Sequence, residues 1–369
     1  MRVLHISGAR GWGGNEQQLL YLSEELANRG VEQHLFGYQN SVLSQRLQED
    51  IIRQHLIPYV KPYKKTYREA LTNIVKHYRI DLIHLHTSDS VTGYVITDLF
   101  SNLKVKAVFS KKGISRKVSL LSKYKYNYKN IHKIICVSTI VKDHFKTVLV
   151  KKVHHKLCVV YDGVQQQEPN KVTTIKDLKK DLHLLQDIKI IGNIANHTDA
   201  KDLFTLLKTI SYLTHELKIT NIHLIQIGEF SRRTEELKRL IIKLNIEKYV
   251  SFLDFEKEAI NYMSQFTVFV MTSQREGGPT TVLEAFSQKI PVVSTRVGVV
   301  AEAIENGNNG FIDNVGDYKG IANHIKSLIQ DPFLRKEFAD QSFNLFQEKF
   351  TREKLGLETL NIYKEVLSD

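Results

Sequence analysis

An alternation of short apolar runs with glycine-containing turns and helix-periodic stretches, played through twice, limits what this chain can fold into more than any other feature. Residues 2–7 read as a strand, Gly8 to Gly14 as a glycine-rich turn, Glu16 to Asn28 as an amphipathic helix closed by Gly30, and Val31 to Tyr38 as a second strand. Helical patterns at Ser41 to His55 and Tyr67 to Tyr78 lead to a strand over Asp81 to His86. Strands at Val105 to Phe109, Lys133 to Val137 and Lys156 to Tyr161 follow, with Ser138 expected to cap a helix over Thr139 to Thr147. The turn Asp162-Gly163 closes this half, and the polar stretch Gln165 to Lys171, which carries Pro169, reads as a linker. The pattern restarts at Ile188. Strands are expected at Ile188 to Ile194, Ile222 to Ile227, Val250 to Leu253, Phe266 to Met271 and Pro291 to Ser294. Helices fall at Asp202 to Glu216, Arg232 to Leu244, around Ala259 to Ser264, and at Thr281 to Gln288. Such β and α units imply mainly parallel sheets covered on both faces. The expected class is α/β, with domains at residues 1–164 and 188–350 joined by a linker region, 165–187.

The length of 369 residues suits two domains, each with an adequate core. No run of eighteen apolar residues occurs, so no membrane-spanning helix is expected. The opening apolar run is too short for the core of a signal peptide, which makes the cytoplasm the expected location. Cys136 and Cys158 sit in apolar, strand-like runs and read as small buried residues. The net charge of +12 is concentrated: Lys104 to Lys156 holds fifteen Lys or Arg and one acid, Asp143, with Tyr124, Tyr126 and Tyr128 interleaved. That face suits an anionic membrane, a phosphorylated acceptor or nucleic acid, or is simply a solvated surface.

The opening β-turn-α-β is the start of a Rossmann-like unit, which raises nicotinamide binding. Gly8, Gly11, Gly13 and Gly14 break the G-x-G-x-x-G order, and the second strand ends in Tyr38-Gln39 where an acid would meet a ribose, so a dehydrogenase is not expected. Gly13-Gly14 still allows close approach of backbone to ligand, or forms a plain tight turn. His86 ends its strand at the edge where open α/β sheets bind ligands, and Lys111-Lys112-Gly113 arrives at the same edge. A structural hydrogen bond is the competing role for His86.

The densest chemistry lies at Glu276-Gly277-Gly278-Pro279-Thr280-Thr281-Val282-Leu283-Glu284. A strand that ends in a glycine-rich turn and opens a helix presents free N–H groups and a positive dipole end, which suits a phosphate. Two carboxylates bracket it. Thr281 to Glu284 also fits a capping box, in which Glu284 would only serve the helix. That role leaves Glu276 and the double glycine unexplained.

Gly13-Gly14, Val137-Ser138, Tyr161-Asp162-Gly163-Val164, the Lys201 loop, Gly228, Glu276 to Ala285 and Pro291-Val292-Val293 stand in an order that resembles the family 4 retaining glycosyltransferases (glycosyl transferases group 1) of GT-B fold. The resemblance covers nearly the whole chain. It implies two Rossmann-like domains facing a cleft, with a C-terminal helix, 351–369, that packs back on the first. It implies a donor site in the second domain, formed by Asn196, Gly228, Gly277, Gly278, Pro279, Thr280 and Glu284, with Gly13 and Gly14 reaching the donor from the first. Lys201 would stabilise the leaving phosphate, Glu276 would accept from sugar hydroxyls and Glu284 from ribose hydroxyls. His86 and Lys112 would complete the catalytic set. The pattern also departs from the family. Asn196 stands where an arginine is usual, Lys112 where a histidine is usual, and Phe230 and Val299 where glycines are common. Lys112 could compensate for the lost arginine.

The resulting expectation is a retaining, metal-independent enzyme that moves a sugar from a nucleoside-diphosphate sugar, UDP foremost, to an anionic or lipid-linked glycan in surface polysaccharide or lipopolysaccharide synthesis. It would need no cofactor, bind no nucleic acid, and associate peripherally with anionic membrane through its basic first domain. A non-catalytic nucleotide-sugar-binding protein and a sugar-nucleotide epimerase are the competing readings. No Asp-x-Asp motif is present, and Asp254-Phe255-Glu256 is a poor substitute.

Overall fold

The computed structural model describes residues 1–114, 119–166, 177–256 and 259–368. Residues 167–171 of the expected linker, with Pro169, and Arg116 and Lys117 of the basic stretch lie outside the described residues. The first elements are β1 (Arg2–Ile6), α1 (Gly14–Ala27), β2 (Glu32–Tyr38), α2 (Val42–Arg46), β3 (Arg53–Ile57), α3 (Lys65–His77) and β4 (Leu82–Leu85). Next come α4 (Ser88–Ser101), β5 (Lys106–Lys111), α5 (Leu120–Tyr126), β6 (Ile131–Cys136), α6 (Thr139–Lys146), β7 (Leu157–Val159) and α7 (Leu178–Asp181). The chain continues with β8 (Lys189–Ile194), α8 (Leu203–Ser211), β9 (Ile222–Ile227), α9 (Thr234–Lys243), β10 (Val250–Leu253), β11 (Val268–Met271) and α10 (Thr280–Ser287). It ends in β12 (Val292–Thr295), α11 (Val300–Ala303), β13 (Phe311–Asp313), α12 (Tyr318–Gln330), α13 (Pro332–Lys349) and α14 (Arg352–Ser368).

The chain divides into two compact units, Met1–Gly163 with Arg352–Asp369, and Val164–Thr351. The first is built on a seven-stranded parallel sheet of order β3-β2-β1-β4-β5-β6-β7. Side chains alternate across it: Leu4, Ile6, Ile83, Leu85 and Phe109 enter one core, while Val3, Leu82, Val108 and Ile135 enter another. That second core is completed from the far end of the chain, by Leu355, Leu360, Tyr363 and Val366 of α14. Arg352 fastens the start of α14 to α1, reaching Glu24 at 3.0 Å and Glu25 at 3.1 Å.

The second unit has a six-stranded parallel sheet of order β10-β9-β8-β11-β12-β13. Leu206, Ile210, Leu224, Val270, Ile325 and Phe338 are among the residues of its core. In each sheet the order of strands reverses once, beside β1 and β4 in the first and beside β8 and β11 in the second. Connections leave to opposite faces at such a reversal, so the loops after those two strands open a crevice at the carboxyl edge.

The elements depart from the sequence reading in several places. The helix expected over Ser41 to His55 is only α2, capped by Ser41; the chain then turns and enters the edge strand β3 at Arg53. Leu43, Leu47 and Ile51 are spaced like a helical stripe, but the chain turns after Leu47, and it is Ile52 that packs with Leu43 and Leu47 in one small cluster. The expected helix near Ala259 is a 3₁₀ segment, Ala259–Gln265. The reading also passes over α4, whose N-terminal box pairs Thr87 with Ser90 and so lacks the usual Glu or Gln.

Gly228 ends β9 where a β-carbon would lie 2.1 Å from the carbonyl oxygen of Ala195. Gly228→Ala therefore drives apart the loops after β8 and β9. It is expected to destabilise the second unit by more than about 2 kcal/mol, measured as a lowered urea midpoint.

Candidate active site

At the crevice of the second unit, the loop after β8 carries Lys201 and the loop after β11 carries Glu276. Lys201 Nζ donates to Glu276 Oε1 at 2.7 Å, and Ser273 Oγ donates to the same oxygen at 2.9 Å. Both charged side chains are largely buried, 26% and 15% exposed, so each lowers the cost of desolvating the other. Backbone contacts join the two loops: Gln274 N–H donates to Ala200 O at 2.8 Å, and Thr272 Oγ1 to Asp202 O at 3.0 Å. Asp202 adopts a left-handed conformation, φ 47°, and caps α8 through Thr205. Lys201 thus sits in a turn fixed on both sides.

The turn that follows Glu276 is held by Gly298, φ 51°, where a β-carbon would lie 2.6 Å from Gly277 O. Val299 N–H donates to that same carbonyl at 3.1 Å, so the valine at a position where glycine is common holds the glycine turn through its backbone. Pro279, not Thr281, is the N-cap of α10, and no side chain caps the helix. The capping box is therefore not formed: with the helix starting at Thr280, Glu284 lies in its second turn and cannot reach back. Its carboxyl has no hydrogen-bond partner among the described residues, and burial pushes its pKa up to about 7. The uncapped first turn leaves its N–H groups and the positive dipole end beside Gly277 and Gly278.

Around this centre, Asn196 Oδ1 accepts from Glu229 N–H at 3.0 Å and ties the loop after β8 to that after β9. His197 is held by Thr234 and Gln226 at 2.8 and 2.7 Å and packs against the ring of Phe230. The sequence reading missed His197. Its neighbours in space are far away in sequence.

In the first unit, His86 stands at the carboxyl end of β4 as expected. Its Nε2 lies 2.9 Å from His5 Nδ1, and His84 is held by Tyr363 at 2.6 Å and Ser110 at 2.8 Å. Ligating atoms of His5, His84 and His86 lie within 4.8 Å of one another, the spacing of a candidate metal group. These nitrogens are paired with one another and with two hydroxyls, while His5 Nε2 is buried without a partner among the described residues. Burial holds His5 at about 3 and keeps His84 and His86 well below the usual range, with Lys112 adding to the effect on both.

Lys112 Nζ is itself paired with Asp162 Oδ1. Its charge is balanced inside the first unit by that carboxylate. Gly13, extended and without a capping side chain, precedes α1, and the Glu16 carboxylate lies against the N–H groups of Gly13 and its own residue. The site proposed for a donor at Gly13 and Gly14 thus already faces an acid of the chain.

Comparison with known proteins agrees with this architecture. Residues 12–168 match the model described as Glycosyltransferase Family 4, and residues 174–344 match Glycosyl transferases group 1. The chain belongs to this family of glycosyltransferases, with a GT-B type of fold built on two parallel α/β sheets. It is 22% identical over 335 residues to the N-acetyl-alpha-D-glucosaminyl L-malate synthase of Bacillus anthracis, across 87% of this chain and 86% of that protein. It is 28% identical over 153 residues to the capsular polysaccharide biosynthesis glycosyltransferase CapM of Staphylococcus aureus, covering 42% and 40% of the two chains. Among solved structures, Anabaena Alr3699/HepE in complex with UDP superposes with a TM-score of 0.86 at 17% identity, covering 99% of this chain and 100% of that one.

Two sets of buried groups, the histidines of the first unit and Glu284 of the second, give opposite pH dependences. The unfolded chain protonates His5, His84 and His86 near pH 6.5 while the folded unit does not, so their contribution is present above pH 6.5 and is lost as pH falls below it. Hydrogen-exchange protection of β1 and β4, taken relative to the intrinsic rate at each pH, should fall from pH 6.5 to 5.5, and less so in His5→Gln. Glu284 has the raised pKa, so its contribution is lost as pH rises from about 4.5 to about 7. Protection of α10 should decline over that interval in the wild type and stay level in Glu284→Gln.

Proposed function

We propose that this protein transfers a sugar, with retention of configuration and without a metal ion, from a UDP-sugar to an anionic or lipid-linked glycan in surface polysaccharide or lipopolysaccharide synthesis. The observation that carries the reading is the Lys201–Glu276 pair beside the uncapped start of α10, at the reversal of the second sheet. In this structure each charge satisfies the other. A bound donor replaces that pairing with two new ones: its diphosphate takes Lys201 and the N–H groups of Gly277, Gly278 and Thr280, and its sugar hydroxyls take Glu276. Pro279 fixes the entry of the helix. Charge grows on the departing phosphate as the bond breaks, and a buried ammonium stabilises it more strongly there than in water. Glu284 accepts from the ribose hydroxyls, Gly228 lets the nucleotide approach the backbone, and Asn196 takes a polar contact where the family's arginine would give a charge.

The first unit holds the acceptor, with His86 kept neutral by burial and so a hydrogen-bonding partner for acceptor hydroxyls, not a base, and with Lys112 and Asp162 as a fixed dipole beside it. Gly13 and Gly14 let a ligand approach the backbone at the start of α1. The reading is supported by the UDP complex of the Anabaena structure and by the capsular polysaccharide relative. Among the described residues no helix is long and apolar enough to cross a membrane, and the basic stretch supplies peripheral attachment to an anionic membrane at its cytoplasmic face.

Assayed with a UDP-sugar in the presence of EDTA, the wild type is expected to turn over. Glu276→Ala and Lys201→Ala are each expected to lower kcat/KM by ~100-fold or more, a loss of about 2.7 kcal/mol. Wild-type turnover in Glu276→Ala, or a strict need for added divalent metal, would overturn the assignment.

A further inference from the structure

The carboxyl edge of the first unit carries, on the β3 side of its strand reversal, a group of side chains used by neither the donor site nor the histidine network. The loop after β1 supplies Arg10 and Trp12, α2 supplies Arg46, and the segment after β3 supplies Tyr59, Lys61 and Tyr63. The guanidinium of Arg10 lies 4.8 Å from the centre of the Tyr59 ring, and that of Arg46 4.0 Å from the Trp12 ring. Lys61 lies 6.0 Å from the Tyr63 ring. These contacts rest on a fixed backbone. Val42 N–H donates to Arg10 O at 3.2 Å, Tyr38 OH donates to Val60 O at 2.9 Å, and the Tyr38 ring meets that of Tyr59 edge-on at 5.1 Å.

Two properties of this surface are unusual together. Tyr59 and Tyr63 are 56% and 50% exposed, so apolar ring faces stand in water at the edge of the sheet where ligands bind. Arg10 and Arg46 are exposed as well and lie over aromatic rings. A planar guanidinium on a ring keeps its edge donors turned outward, ready for two parallel hydrogen bonds to a carboxylate, sulfate or phosphate. Asp89, beside Gly8 in the first turn of α4, is an acid that borders the group. A sugar ring offers what such a surface lacks: a flat face of C–H groups to cover the aromatic rings and a rim of polar substituents for the cations.

We propose that this surface is the acceptor subsite and that it binds acidic sugar units, with Tyr59 and Tyr63 stacking on sugar faces and Arg10 and Arg46 pairing with their anionic groups. The assignment rests on the reading of the first unit as the acceptor-binding one. It adds that the acceptor's charge lies on the glycan itself, which a lipid carrier alone would not provide.

The test is binding of the full chain to an immobilised panel of uronate-containing, sulfated and phosphorylated oligosaccharides set beside neutral ones of the same length. The wild type is expected to bind acidic members selectively and more weakly as salt rises. Arg10→Ala and Tyr59→Ala are each expected to raise Kd by ~10-fold or more, and Arg10→Lys to raise it by less, since it keeps the charge and loses the planar fork. Far-UV circular dichroism and the thermal shift produced by UDP should match the wild type in all three, which separates loss of glycan from loss of fold. The proposal is overturned if no acidic glycan binds, if neutral and acidic glycans bind alike, or if the variants bind as the wild type does. It is equally overturned if these residues hold acidic phospholipid vesicles and no glycan. Acidic glycan binding without any UDP-induced shift would instead fault the donor reading and leave this subsite standing.

Discussion

The ion pair between Lys201 and Glu276 exists because two loops 75 residues apart in sequence emerge at the one place where the strand order of the second sheet reverses. Everything else in that unit serves this meeting. Gly228 and Gly298 permit backbones to approach where any side chain would intrude, Asp202 accepts a left-handed conformation to turn Lys201 inward, and Ser273 steadies the carboxylate. A largely buried lysine and glutamate would each be costly alone. Held together they are tolerated, and they remain poised for a ligand that brings both a negative and a hydroxylated part.

The first unit solves a similar problem differently. Its strand reversal gathers three histidines, which burial keeps uncharged, and a lysine whose charge is cancelled by Asp162. Free positive charge appears farther out on the same edge, on arginines that lie over aromatic rings. The two carboxyl edges therefore differ in kind: one concentrates paired charge and uncapped backbone, the other neutral donors and acceptors with a cationic, aromatic border.

Much of this was legible in the chain itself. The strand starts and ends came from apolar runs bounded by glycine and polar turns, because a strand buried on both faces has no polar alternative. The segment from Glu276 to Glu284 could be singled out since a double glycine, a proline and two acids have no common structural purpose in so few residues. Where the reading failed, spacing misled it. Leu43, Leu47 and Ile51 fall at intervals that fit a helix, and only the packing of Ile52 with Leu43, Leu47, Leu19 and Leu35 shows that the chain turns among them. The apparent capping box at Thr281 dissolved once Pro279, two residues earlier, proved to be the N-cap, which moved Glu284 from the first turn into the second and left its carboxyl unpartnered.

The sequence by itself determined the two-part α/β architecture, the family and the residues that could do chemistry, because local periodicity, turn residues and motif spacing are properties of neighbours along the chain. Which of those residues meet was decided by tertiary structure alone. That Lys201 faces Glu276, that Lys112 is neutralised by Asp162, that His84 is held by Tyr363 from the last helix, and that Arg10 lies over Tyr59 all depend on strand order and on where the chain crosses the sheet. The physical reason is that a charge or a ring takes its character from what surrounds it, and in a parallel sheet those surroundings are assembled from loops that the sequence keeps far apart.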